Sequence, residues 1–323
     1  MLIAINYHYI RENYNEPYPS IFGVKPQQFS DRLDQIGQYA DFLSIDDLVE
    51  IIEGRKRKPK NSVVITFDDG FREQYELAWP ILKKKGIPAI FFINTSPIKN
   101  CTVTTTHKIH IIRAFTPPDQ FKRVLEKNLI KNNIDISYPA AEVAKNAYKY
   151  DNTKVARLKF FLNHTLGFSE QYEVINDTFL DLGFNEDKVS KELYMTKGMI
   201  NELSQNSVVG THGHTHRPLG LLNDEDAVID FEKSVRLLEG WTNTKIKALS
   251  YPFGYKEACS QAVATAASKN DVKFAFTMER AGNQNLSNPL FLARFSNSDL
   301  PNDYSNKSLK KFWKNIPVAQ WNH

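Results

Sequence analysis

Over roughly residues 1–95 and 195–300, short apolar runs rich in β-branched residues alternate with stretches whose apolar residues recur every three or four positions. Met1–His8, Ser62–Phe67 and Pro88–Ile93 have the length and composition of buried strands. Between them, Pro26–Ala40 sets Phe29, Leu33, Ile36 and Tyr39 on one helical face, and Ser44 caps a helix over Ile45–Glu53 that stops at Gly54. Arg72–Lys85 is helix-like up to Gly86, with Pro80 expected to bend or divide it. Strand, helix, strand is the rhythm of βαβ units on a parallel sheet.

From about residue 100 to 194 the pattern turns helical, over Gln120–Lys131, Thr153–Leu166 and Ser169–Leu182, and no stretch reads as a strand. A structureless loop of that length would be improbable, so a helical insertion is expected, packed on the sheet or walling a cleft. The alternation then resumes. Lys197–Gln205, Asp224–Gly240 and Lys256–Lys269 read as helices, and Ser207–Val209, Lys247–Tyr251, Val272–Thr277 and Pro289–Phe295 as strands. The tail Lys307–Trp321 is basic and carries aromatics, without a pattern that decides its structure. The chain of 323 residues therefore fits one α/β domain, 1–323, of about seven strands with an insertion at about 100–194.

Composition narrows the setting. With 41 basic and 37 acidic residues the net charge is +4, too slight for a nucleic-acid footprint. The dense run Arg55-Lys56-Arg57-Lys58-Pro59-Lys60 reads as a solvated loop ahead of a strand. No apolar stretch is long enough to span a bilayer, and Met1–His8 lacks the marks of a signal peptide. Cys101 and Cys259 match no metal or redox spacing, so reduced thiols and a cytoplasmic location are expected.

Two stretches concentrate reactive side chains. Thr66-Phe67-Asp68-Asp69-Gly70 puts adjacent carboxylates where a buried strand runs out. Side chains alternate along a strand, so the two point differently and can take different jobs, one holding a cation and one handling a proton. Gly210-Thr211-His212-Gly213-His214-Thr215-His216 carries three histidines in five positions. If it winds into a helical turn, His212 and His216 stand at i and i+4 on one face, which suits two imidazoles on one metal. Asp69 is the candidate third ligand, leaving a position open for water. His214 should then face elsewhere, in a structural or supporting role. A tight turn and a core histidine are the plain alternatives for either stretch alone; jointly the two favour a metal centre. His107, His110 and His164, in the insertion, read as surface or core residues.

Together with the later Tyr251-Pro252-Phe253-Gly254, these stretches resemble the polysaccharide deacetylase family, the NodB-homology group. The resemblance covers roughly residues 1–95 and 195–300. It implies a distorted, incomplete (β/α) barrel and a metal-dependent hydrolase that removes an N-acetyl or related small acyl group from an amino sugar. By the same match Asp68 is the general base, and Asp69, His212 and His216 hold a divalent ion, zinc by default. The turn at Tyr251 lines the site, with the Phe253 N–H aimed at the developing oxyanion.

Two departures from the family pattern matter. Ser250 stands where an arginine usually precedes the Pro-aromatic pair, so Arg294 is the candidate to orient the base, unless it makes only a structural ion pair. No late leucine–histidine motif follows Arg294; His8, ending the first strand, is the candidate catalytic acid or substrate contact. The implied substrate is a saccharide, nucleotide- or lipid-linked, in the assembly of a surface glycan. The competing readings are a carbohydrate-binding protein that kept the fold without turnover and a metal-dependent phosphohydrolase. The adjacency of Asp68 and Asp69 and the paired histidines count against the second.

Overall fold

A computed structural model describes residues 1–15, 19, 21–206, 208–301 and 305–321. The chain forms two compact units, one of residues 1–12, 22–101 and 190–323, the other of residues 13–21 and 102–189.

The first unit begins with β1 (Leu2–Tyr7), α1 (Pro26–Gly37), β2 (Asp41–Phe42), α2 (Ile45–Ile52), β3 (Ser62–Phe67), α3 (Trp79–Lys85), β4 (Ala89–Ile93) and α4 (Thr95–Asn100). The second unit is helical: α5 (Thr105–Phe115), α6 (Pro118–Lys131), α7 (Ala141–Ala147), α8 (Thr153–Phe160) and α9 (Phe168–Asp181), with no strand among its described residues. After α10 (Glu186–Leu193) the first unit continues with α11 (Lys197–Ser204), β5 (Val209–Thr211), α12 (Asp224–Thr242), β6 (Ala248–Ser250), α13 (Gln261–Lys269), β7 (Phe274–Phe276), β8 (Phe295–Ser296) and α14 (Asn306–Lys314).

All strand pairs are parallel, in the order β7-β6-β5-β4-β3-β1-β8, with β2 added beside β3. Burial on both faces explains the continuous apolar runs of β1 and β3. Odd-numbered residues such as Ile3, Ile5, Val63, Ile65 and Phe91 join helix residues Phe29, Leu33, Phe231 and Leu238 in the larger core. Even-numbered residues Leu2, Ala4, Val64, Ile90, Phe92, Phe274 and Phe276 form a second core on the opposite face. On that face the alternation runs on into Asn6, Thr66 and Asp68, so its last layer is polar. Every parallel strand delivers its C-terminal end to the same edge, where such folds build their sites.

Several sequence expectations need correcting. The stretch 72–85 is divided upstream of Pro80: a π-helical turn over Gln74–Ala78 leads into α3, where Pro80 occupies an early position that needs no N–H donor. The run 256–269 splits into a 3₁₀ turn at Lys256–Ala258 and α13, whose start is capped by Ser260 accepting from Val263 N–H. Pro289–Phe295 is not one strand. Pro289 opens a 3₁₀ turn, Leu292 bridges to Phe276, and only Phe295–Ser296 pair with β1. Ser207, expected to open β5, lies outside the described residues, and the undecided tail contains α14. The short β2 and the helices α5 and α7 were not foreseen.

Candidate metal centre

β3 ends at Phe67 and the chain turns through Asp69 (φ 77°) and Gly70 (φ 70°). Asp68 keeps the alternation of β3 and sits in the polar layer, 3% exposed. Arg294 approaches it with both terminal nitrogens, Nη1 donating to Oδ1 at 2.9 Å and Nη2 to Oδ2 at 2.7 Å, while Asn6 Nδ2 donates to Oδ2 at 2.9 Å. The same guanidinium donates to Thr66 Oγ1 at 3.2 Å and Ser250 Oγ at 2.9 Å, and its carbon lies 5.9 Å from the ring centres of Phe92 and Phe276. Burial is the largest single influence and works against the Asp68 charge, but Arg294, joined by His212 and His8, more than offsets it, and the carboxyl is held below the usual carboxylate range. Arg294 therefore orients Asp68, entering from the segment before β8, and Ser250 accepts one of its donors.

The histidine stretch leaves β5 as an irregular loop and not as a helical turn. Gly213 (φ 73°) and His216 (φ 58°) have left-handed backbone, which interrupts any i, i+4 repeat. The two imidazoles converge all the same, with ring centres 5.1 Å apart. His212 N–H donates to the Ile93 carbonyl at 2.9 Å, and its Nδ1 lies 2.8 Å from the Ser250 carbonyl. A carbonyl only accepts, so Nδ1 carries the hydrogen and Nε2 presents a lone pair. Burial lowers the His212 pKa to about 4, keeping the ring neutral.

That lone pair faces oxygen. His212 Nε2 is 3.6 Å from Asp69 Oδ1 and 4.0 Å from Asp68 Oδ2, and His216 Nε2 is 3.1 Å from Asp69 Oδ1. One ligand atom from each of Asp69, His212 and His216 lies within 4.8 Å of the other two, and all three side chains are buried. A neutral imidazole directing its lone pair at buried carboxylates is unfavourable unless a cation lies between them. The donor set suits zinc and its neighbours among divalent ions.

His8 continues β1 to the same edge, its Nε2 3.9 Å from Asp69 Oδ2 and its side chain 44% exposed, so it faces both the triad and solvent. After β6 the turn residue Phe253 has φ 63°, is 36% exposed and sets its ring centre 5.0 Å from that of His216. Tyr251, expected among the substrate contacts, is fully buried and stacked on Phe291 at 5.5 Å, so its side chain serves the core. His214 faces away from the triad, its Nδ1 2.9 Å from Thr95 Oγ1. Reading the sequence missed Asp230 and Ser234 of α12, which hold the histidine loop. The available signal was an acid and a serine interrupting the apolar stripe of Ala227, Phe231, Val235 and Leu238.

The family model for polysaccharide deacetylases matches residues 55–133 and 133–275, which leaves His8 and Arg294 outside the matched segments. A poly-β-1,6-N-acetyl-D-glucosamine N-deacetylase of Staphylococcus epidermidis is 30% identical over 123 residues, 34% of this chain and 40% of that protein, so the chain spans less than half of that relative's length. The Staphylococcus aureus protein of the same name is 26% identical over 232 residues, 62% of this chain and 79% of that protein. Among solved structures, a Streptococcus pyogenes deacetylase in complex with acetate shares the fold at 16% identity and TM-score 0.58, over 96% of each chain. With the matched segments spanning more than half of its length, the chain belongs to the polysaccharide deacetylase family.

Proposed function

We propose that this protein hydrolyses the N-acetyl amide of an N-acetylated amino sugar within a saccharide, releasing acetate and a free amine. The observation that carries the reading is the convergence of Asp69, His212 and His216 beside an Asp68 clamped by Arg294. Asp69, His212 and His216 would hold one divalent ion, with zinc as the first choice. Bound there, the ion supplies Lewis acidity toward the amide oxygen and lowers the pKa of a water.

The chain's own residues do the rest. Asp68, kept ionised by Arg294, takes the proton of the attacking water as the new C–O bond forms. The Phe253 N–H donates to the oxygen on which charge develops. His8, half in solvent at the rim, gives the sugar nitrogen its proton as the C–N bond breaks. The Phe253 ring offers a partly exposed apolar surface to a pyranose face. The names of the staphylococcal relatives favour a polymer of N-acetylglucosamine, in keeping with surface-glycan synthesis. No helix among the described residues is long and apolar enough to cross a membrane, and two free cysteines fit a reducing, cytoplasmic setting.

The test is acetate release from N-acetylglucosamine oligomers and from nucleotide- and lipid-linked N-acetylated amino sugars, with and without a chelator. Metal-dependent acetate release supports the reading, and the best substrate identifies the carrier. Phosphate release without acetate, or saccharide binding without turnover, would overturn it.

A further inference from the structure

The loop that carries His216 is held from behind by α12. Asp230, 7% exposed, accepts from His214 N–H at 2.6 Å, from Thr215 N–H at 3.0 Å and from the Thr215 hydroxyl. One turn on, Ser234 Oγ donates to the Gly213 carbonyl at 2.9 Å and accepts from Thr211 Oγ1 at 2.7 Å. From the other side, Ser96 N–H donates to the His214 carbonyl at 2.8 Å, and Asn94, with its amide turned to match its surroundings, accepts from His216 N–H at 2.8 Å. These contacts reach backbone groups of 213–216, the residues that carry the chain from His212 to His216. No segment of regular structure sets that path, and His216 sits in a backbone region that non-glycine residues disfavour by about 1–2 kcal/mol. The carboxylate on α12 thus takes two successive N–H groups of this loop, one on each oxygen.

We propose that Asp230 is a positioning residue for the metal centre. By gathering the His214 and Thr215 donors it fixes the bend that brings His216 Nε2 to 3.1 Å from Asp69, and so sets affinity for the divalent ion. This rests on the reading of Asp69, His212 and His216 as metal ligands. Asp230→Asn turns an acceptor into an NH₂ group facing donors and cannot satisfy all three. Groups that orient metal ligands from behind typically contribute about 10–100-fold in metal affinity.

The experiment measures zinc and cobalt dissociation constants of the full chain by competition with a chromophoric chelator, alongside urea unfolding of the metal-free protein. Wild type should bind, and Asp230→Asn should bind about 10–100-fold more weakly while still folded. Thr215→Val, which deletes one hydroxyl donor and keeps every backbone group, should show a smaller loss in the same direction and serves if Asp230→Asn does not fold. A folded Asp230→Asn with wild-type affinity overturns the inference alone; so does unchanged affinity in Thr215→Val where Asp230→Asn fails to fold. If wild type binds neither ion, the metal-centre reading itself fails.

Discussion

Arg294→Met tests whether the charge of Asp68 depends on one partner. Methionine roughly fills the space of the aliphatic stem but removes two donors from Asp68, one from Thr66 and one from Ser250. Asp68, 3% exposed, would keep only the Asn6 donor against a buried charge. Breaking a buried ion pair from one side costs about 3–5 kcal/mol, a large share of the about 5–15 kcal/mol that holds a typical domain together. Asp68→Asn alone strands the guanidinium and should be similarly destabilising. The double variant leaves no unpaired charge, so its loss should fall at least about 2 kcal/mol short of the sum of the two single losses.

Urea unfolding of the metal-free proteins reads this directly. The pH dependence supplies the sign. In wild type the Asp68 pKa is lowered, so its contribution is present above the unfolded carboxylate value of about 3.9 and is lost as pH falls through the folded value. In Arg294→Met burial loses its largest opponent and the folded pKa rises, so protonation then favours the folded state. The stability gap between the two should narrow as pH is lowered from 7 toward 4. Single-variant losses that add within about 0.5 kcal/mol, with a gap that stays constant, would refute the coupling.

Other consequences are as direct. His8→Ala should lower acetate release about 10²–10⁴-fold while zinc affinity stays near wild type; intact turnover would remove His8 from the mechanism. Zinc at 1,000 times its dissociation constant should stabilise the protein by about 4 kcal/mol, seen as a chelator-reversible rise in Tm, and no rise would count against a metal held by the folded site. Gly210→Ala should cost about 1–3 kcal/mol in urea unfolding, because a Cβ there would lie 2.5 Å from the Phe92 ring and 3.0 Å from the Ala248 carbonyl. Cys259, whose thiol burial pushes up to about 12, should resist iodoacetamide at pH 8 in the native protein and react only on unfolding, whereas the partly exposed Cys101 should react first.

The sheet was legible because its strands are buried on both faces and so leave unbroken apolar runs at Ser62–Phe67 and Ala89–Ile93. The candidate site was legible because reactive side chains crowd into two short stretches, which the fold brings together. What the sequence could not supply was long-range pairing. Arg294 meets Asp68 across 226 positions of chain, and only its place inside the apolar run 289–295 hints that a charge there must find a buried partner. The last strand was misread for a related reason: that run serves two edges in turn, β7 through Leu292 and β1 through Phe295, so no single register holds along it.

The loop conformations were hidden more deeply. Of the non-glycine residues with positive φ, Asp69, His216 and Phe253 all lie at the site, whereas Cys101 and Asn243 close helices, where left-handed caps are ordinary. Each such residue costs about 1–3 kcal/mol, least for Asp69 in its Asp-Gly turn and most for the aromatic Phe253. For His216 distant groups hold the loop that carries it: Ile93 and Ser250 fix His212, and Asp230, Ser234 and Ser96 fix the chain between the histidines. A pattern of spacing reports what a segment prefers alone. At this site the backbone is held against that preference, so spacing pointed to the two imidazoles that converge, but through a helical turn that does not form.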